Sequence, residues 1–244
     1  MVEKRRYTGL HGIRVILFDL DDTLIHFDDY WKDSLIETFR RHPATKAIDP
    51  KILFDLLWER NKVYEQLYHN QVITLREFRN QRLIDTMALM DCEMGEKTAD
   101  DFNDLHKETS LHFMKADPEL VALLTDLSAV YQLVIVTNGL KTRQHDKIDA
   151  LGIKALFAKD SILISEEVGH EKPDIEMYNQ ALSRFSVRPE EALFIGDSWK
   201  NDVEGPIRAG LRAIWYNRKN ELIPRNGIQP YAMIRTIHEL REIL

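Results

Sequence analysis

Short runs of consecutive apolar residues that stop abruptly at polar ones recur along this chain, and they limit the folds open to it more than any other feature. Val15-Ile16-Leu17-Phe18 follows Arg14 and stops at Asp19. Leu133-Val134-Ile135-Val136 stops at Thr137-Asn138-Gly139, and Ser161-Ile162-Leu163-Ile164 at Ser165-Glu166-Glu167. Ala192-Leu193-Phe194-Ile195 stops at Gly196-Asp197, and Leu211-Arg212-Ala213-Ile214-Trp215 makes a fifth run. A strand without polar alternation is one buried on both faces. Helical periodicity fills the intervals, over 119–128, 141–151, 175–185 and 203–209. Strands alternating with helices predict an α/β fold with a doubly wound, Rossmann-like parallel sheet. Ala232-Met233-Ile234 and a terminal helix over 236–244 close it.

One segment breaks the alternation. Over 28–115 there is no convincing strand, only helical stripes: Trp31, Leu35, Ile36 and Phe39; then Ile52, Leu53, Leu56, Leu57 and Val63; then Phe78, Leu83 and Met87. Pro43 and Pro50 fall between the first two stripes, where helix boundaries belong. The expected organisation is an α/β core of residues 1–27 and 116–244, with an all-helical domain of residues 28–115 inserted after the first strand. The chain shows no internal repeat and no low-complexity segment.

Composition narrows the function classes. The 244 residues suit one domain with an insertion, or two small domains sharing a core. No stretch approaches the roughly 18 apolar residues of a membrane span, and the run ending at Phe18 is too short for a signal-peptide core. A soluble cytoplasmic protein is expected, either monomer or homodimer. The formal net charge of -7 repels nucleic acid backbones, so any nucleotide partner should be small rather than polymeric. Lys4-Arg5-Arg6 reads as a solvated tail. Cys92 is the single cysteine, which excludes an internal disulfide and a cysteine-based zinc site. Between Asp91 and Glu93 it lacks the positive surroundings that make a thiolate, so a structural or neutral role is expected.

In an open parallel sheet, ligands bind beyond the carboxyl ends of the strands. The first end reads Asp19-Leu20-Asp21-Asp22-Thr23. Aspartates placed directly after a buried strand repel one another unless a cation lies between them. A twelve-residue calcium loop starting at Asp19 would need glycine and glutamate where Leu24 and Tyr30 stand, so that reading fails. Gly196-Asp197, with Asp202 five residues on, should join Asp19 from a neighbouring strand. Three converging carboxylates ask for a hard divalent cation, and magnesium suits few protein ligands plus phosphate and water. In Gly169-His170-Glu171-Lys172-Pro173-Asp174, Pro173 fixes the loop from which Lys172 would reach the acids. Thr137-Asn138-Gly139 offers a hydroxyl, an amide and main-chain N–H groups to phosphoryl oxygens.

These four segments, in this order, resemble the four motifs of the haloacid dehalogenase superfamily, and 28–115 resembles its helical cap. The likeness covers the sheet from Gly12 to Asp202. Ser165-Glu166-Glu167-Val168-Gly169 before Lys172-Pro173-Asp174 is similar to the branch of phosphatases acting on nucleoside monophosphates and sugar phosphates. The resemblance implies that Asp19 attacks phosphorus and forms an aspartyl-phosphate. It implies that Asp21 protonates the leaving oxygen and then deprotonates water, a double duty that favours a carboxyl with a raised pKa. Magnesium is then held by Asp19, Asp197 and the main-chain carbonyl of Asp21, with Asp202 in the outer shell. Thr137, Asn138, Gly139 and Lys172 bind the phosphate, Thr137 and Lys172 neutralise charge on it, and Thr23 fixes the first loop. The implied cap closes over the site and excludes bulk water.

Three alternatives share these residues. A haloacid dehalogenase has no alkoxide to protonate, and such enzymes lack an acid at the position of Asp21. A capped phosphosugar mutase keeps both aspartates. A non-catalytic binding protein would keep the fold without turnover. Trp199 and Lys200 stand where they could flank the entrance or simply lie in an exposed loop. Arg143 and His145 are candidates for meeting substrate. Trp31, Tyr68, Arg76 and Arg79 read as packing and surface residues.

Overall fold

The computed structural model describes residues 10–158, 160–225 and 227–244, so Lys4-Arg5-Arg6 lies outside the described residues. The chain divides into two compact units, Met1–Phe27 with Lys115–Leu244, and Asp28–Met114. Lys115 thus falls with the sheet rather than with the insert. Among the described residues, no helix is long and apolar enough to cross a membrane.

Among the described residues the first unit carries six strands: β1 Val15–Phe18, β2 Gln132–Thr137, β3 Ile162–Ile164, β4 Ala192–Gly196, β5 Arg212–Tyr216 and β6 Ala232–Ile234. All pair in parallel, in the order β3-β2-β1-β4-β5-β6. The run Val15-Ile16-Leu17-Phe18 is buried throughout because it lies at the centre of the sheet with both faces covered. Val15 and Leu17 pack with Val134, Phe194, Met177 and Tyr178. On the opposite face Ile16, Phe18, Leu193 and Ile195 are also fully buried. Phe18 pairs with Ile135 on one side and Ile195 on the other. That register sets the residues following these strands level with one another, which gathers the polar ends the chain had scattered.

The second unit holds α1 Phe27–Arg41, which begins at the junction, with α2 Pro50–His69, α3 Leu75–Ala88 and α4 Glu96–Leu111. Pro50 opens α2 at its first position, where a missing N–H costs nothing, and Asp49 caps it by accepting from Lys51 N at 2.8 Å. Thr74 and Glu77 form a capping box on α3. Trp31, Leu35, Phe39, Leu53, Leu57, Leu83, Met87 and Phe102 share one core, with Cys92 packed at its margin. Three residues of the expected second stripe do not belong to it: Ile52 and Val63 are exposed, Leu56 is half-buried outside the cluster, and Phe54 is buried instead. The buried face of α2 follows Leu53, Phe54 and Leu57, one residue round the helix from the face an Ile52-centred stripe implies. Tyr68 stacks on Phe78, and Arg76 pairs with Asp100 and Glu96, the packing and surface roles expected of Tyr68 and Arg76.

Back in the first unit come α5 Pro118–Ser128, α6 Lys141–Leu151, α7 Ser165–Val168, α8 Ile175–Phe185, α9 Gly205–Arg208 and α10 Leu240–Ile243. Two expected helices differ in form. The segment expected as a helix over 203–209 starts earlier, as a π-helical turn over Trp199–Glu204 that runs into α9. At the end of the chain, a 3-10 turn over Ile237–Glu239 precedes α10, because Thr236 and Glu239 cap the segment only there.

Candidate active site

Three elements bring three carboxylates together. Asp19 is the first residue past β1, Asp197 the first past β4, and Asp202 sits in the π-helical turn. One oxygen from each lies within 4.8 Å of the others. The turn is built to aim Asp202 inward. Asp202 N donates to the Ser198 carbonyl at 2.7 Å, and Ser198 N donates to Asp202 Oδ2 at 2.9 Å. Tyr178 OH donates to the Asn201 carbonyl at 2.6 Å and pins the turn from α8. Gly196 is required by proximity: a Cβ there would stand 2.5 Å from Asp202 Cγ.

Lys172 completes the cluster. Its Nζ donates to Asp19 Oδ1 at 2.6 Å and to Asp202 Oδ1 at 2.8 Å, with the residue only 4% exposed. Thr23 Oγ1 lies 3.4 Å from Asp19 Oδ2. Burial pushes the Asp19 carboxyl up to about 8, with Lys172 opposing and Asp202 and Asp21 adding to the rise. Asp197 is raised to about 7, first by burial and then by Asp202 and Asp22. Burial pulls Lys172 down, but the charges of Asp19 and Asp202 outweigh it and hold the ammonium protonated. Three carboxylates against one ammonium leave a formal excess of two negative charges. An all-oxygen donor set with that excess fits a hard divalent cation such as magnesium.

Asp21 points elsewhere. Its carboxylate does not join the three-acid cluster but is gripped from α6. Lys147 Nζ donates to its two oxygens at 2.6 and 2.7 Å, and Gln144 Nε2 to Oδ2 at 3.0 Å. The side chain of Asp21 is thus directed away from the three acids, as suits a residue expected to offer a metal only its main-chain carbonyl. Thr137, fully buried at the end of β2, accepts from Gln144 Nε2 at 2.6 Å.

The neighbouring groups expected to meet phosphate have other partners. The Asn138 amide is spent on the main chain of Lys172, accepting from its N–H and donating to its carbonyl, each at 2.8 Å. Gly139 N donates to Ser165 Oγ at 3.0 Å, and its φ of +142° is open only to glycine. Both residues therefore shape the loop that presents Thr137 and Lys172. His145 faces Glu167 at 3.6 Å. Trp199 packs edge-on against Trp215 at 4.8 Å instead of lining an entrance, whereas Lys200 is exposed.

Gln144 and Lys147 were not legible as site residues. The available signal was their spacing of three on a helix that begins just past Gly139, but exposed helices carry such pairs routinely. The end of β5 and the segment after it were also missed: Tyr216, Asn217 and Lys219 line a pocket with Asp22, His26 and Asp197.

A family model described as haloacid dehalogenase-like hydrolase matches residues 13–210. An N-acylneuraminate-9-phosphatase of Homo sapiens is 26% identical over 243 residues, covering 97% of this chain and 95% of that protein. A glyceraldehyde 3-phosphate phosphatase of Methanopyrus kandleri is 30% identical over 220 residues, covering 88% of this chain and 89% of its own. Among solved structures, a HAD-hydrolase from Bacillus subtilis bound to magnesium superposes with a TM-score of 0.73 at 24% identity, covering 95% of this chain and 98% of that one.

Proposed function

The chain belongs to the haloacid dehalogenase-like hydrolases, and from that premise we propose that it is a magnesium-dependent phosphatase acting on a small phosphorylated metabolite through Asp19. The observation that carries this reading is the Asp19 carboxylate, packed against Lys172 and within 4.8 Å of Asp197 and Asp202. Asp19 and Asp197 would hold the cation, with the main-chain carbonyl of Asp21, and Asp202 would complete the outer shell. When bound, magnesium supplies charge neutralisation for the phosphoryl oxygens and for the carboxylates around them.

The chain's own residues account for the rest. An oxygen of Asp19 forms a bond to phosphorus as the bond from phosphorus to the leaving oxygen breaks. Asp21 gives that oxygen its proton. In the second half, water bonds to phosphorus and passes a proton to Asp21, the Asp19–phosphorus bond breaks, and inorganic phosphate leaves. Lys172 and the Thr137 hydroxyl balance charge on the transferring group. Asp21 argues against dehalogenation, which has no leaving oxygen to protonate.

Two relatives are named for phosphates of N-acylneuraminate and glyceraldehyde, which supports a sugar phosphate as substrate, with nucleoside monophosphates next. The test is phosphate release from a panel of phosphorylated metabolites and p-nitrophenyl phosphate, with magnesium and with a chelator, against Asp19→Asn. Release that needs both magnesium and Asp19 supports the reading; an isomerised sugar phosphate in place of free phosphate makes the protein a mutase. Wild type as inert as Asp19→Asn across the panel rejects it.

A further inference from the structure

Two residues of α6, a helical turn apart, touch the site at points that neither the nucleophile nor the carboxylate cluster explains. Lys147 spans both oxygens of Asp21, and its side chain is 12% exposed against 44% for that of Asp21. A lysine placed for solubility would keep its ammonium in water; this one is drawn in to meet a single carboxylate. Gln144, 2% exposed, turns its amide nitrogen toward Asp21 Oδ2 at 3.0 Å, Thr137 Oγ1 at 2.6 Å and the Asn138 carbonyl at 3.1 Å. The amide has two hydrogens, so these three acceptors share them.

Two consequences follow from the donor and acceptor roles. Because Thr137 Oγ1 accepts from Gln144, its own hydrogen is free of that bond; its nearest protein acceptor, the Asn138 carbonyl, lies at the hydrogen-bond limit of 3.5 Å. The hydroxyl is thereby left to donate to a phosphoryl oxygen. Asp21, half-exposed on a loop, would otherwise sample several rotamers. With one oxygen held by two donors and the other by one, its carboxyl has a fixed position beside Thr137.

We infer that Gln144 and Lys147 are positioning residues that hold the Asp21 carboxyl and the Thr137 hydroxyl together, facing the phosphoryl group that Asp19 takes up. The inference rests on the phosphatase reading. It assigns to α6 the task of keeping one carboxyl in reach of two oxygens in succession: the leaving oxygen it protonates and the water it deprotonates. Positioning of this kind acts on the rate of the step and not on ground-state binding.

The test uses the full chain loaded with magnesium and two substrates. Glycerol phosphate leaves as an alkoxide that must be protonated, whereas p-nitrophenyl phosphate leaves as a stable phenolate. In single turnover, Lys147→Met should slow phosphoryl transfer to Asp19 from glycerol phosphate by about tenfold or more and from p-nitrophenyl phosphate by less than about threefold; it should slow hydrolysis of the phospho-enzyme equally for both, and leave the half-saturating concentration of that transfer step within about twofold. Lys147→Arg should restore part of the loss. In an Asp21→Asn background Lys147→Met should add nothing, since its effect runs through Asp21. Gln144→Leu should slow both substrates, because Thr137 faces the phosphoryl group in each. Thermal melting confirms folding, and Lys147→Gln repeats the test if Lys147→Met does not fold.

Equal losses on the two substrates in the phosphoryl-transfer step, or losses additive with Asp21→Asn, would overturn the inference. A change confined to KM would also do so and would make Lys147 a phosphate-binding cation instead. Wild type inert on both substrates and on the metabolite panel would remove the phosphatase reading itself, an outcome distinct from active wild type with indifferent variants.

Discussion

Lys172 separates the two acids it touches from the charge they would otherwise impose on each other. With both partners buried around it, Lys172→Met leaves Asp19 and Asp202 without a counter-charge. Breaking a buried pair costs about 3–5 kcal/mol, so urea unfolding of the metal-free variant near neutral pH should show a loss of that order. A loss below about 1 kcal/mol would mean that the pair contributes no more than a surface one. Gly196→Ala attacks the same cluster sterically, since the new methyl would stand 2.5 Å from Asp202 Cγ. Asp202 must then shift, and calorimetric titration should show magnesium binding weakened by about tenfold, or about 1.4 kcal/mol. Asp19, Thr137 and Asp197 stood out because polar residues at or directly after the ends of apolar strands have few structural reasons to be there, whereas Lys172 and Asp202 were drawn from the loops beyond. Gln144 and Lys147 were not, because helices carry such side chains everywhere and only the register of β1 and β2 reveals which face meets Asp21. The two hydrogen-bonding sides of Asn138 were likewise hidden, since its partner Lys172 lies 34 residues away in sequence.

At the scale of elements, the unbroken apolar runs identified the six strands nearly to the residue. For the inner strands, burial on both faces removes the alternation of buried and exposed positions; at the edge, β6 keeps it, with Met233 exposed between buried Ala232 and Ile234. The π-helical turn was not foreseen, because its shape depends on tertiary partners beyond its own cap at Ser198: Tyr178 from α8, and the space left by Gly196. Tyr178→Phe removes the hydroxyl that donates to the Asn201 carbonyl, and thermal or urea unfolding should register a loss of about 1 kcal/mol. An unchanged midpoint would show that the turn holds itself. The stripe on α2 was misjudged for a related reason. Periodicity locates a helix well, but the choice between Ile52 and Phe54 as the buried residue belongs to the partners the helix meets.

For the whole molecule, the carboxylate cluster links stability, pH and metal. The folded protein holds Asp197 up to about 7 and Asp19 up to about 8, whereas both ionise near 3.8 when unfolded. In that window the folded chain binds more protons than the unfolded one, so metal-free stability falls as pH rises. The stabilisation is fully present below the ordinary carboxylate value and is lost as pH climbs through about 7 to 8. Magnesium competes with those protons, so it should raise the melting temperature more at pH 8 than at pH 6. Calorimetric scans with and without the cation read both trends, and a metal-free protein that gains stability across that range would contradict the electrostatics of the site.

The most direct trial of the central claim is mass spectrometry of the protein quenched in acid during turnover of a sugar phosphate with magnesium. The account predicts one added phosphoryl group on the peptide that contains Asp19, absent from Asp19→Asn. A phosphoryl group on another residue, or steady turnover with Asp19 never modified, would contradict it.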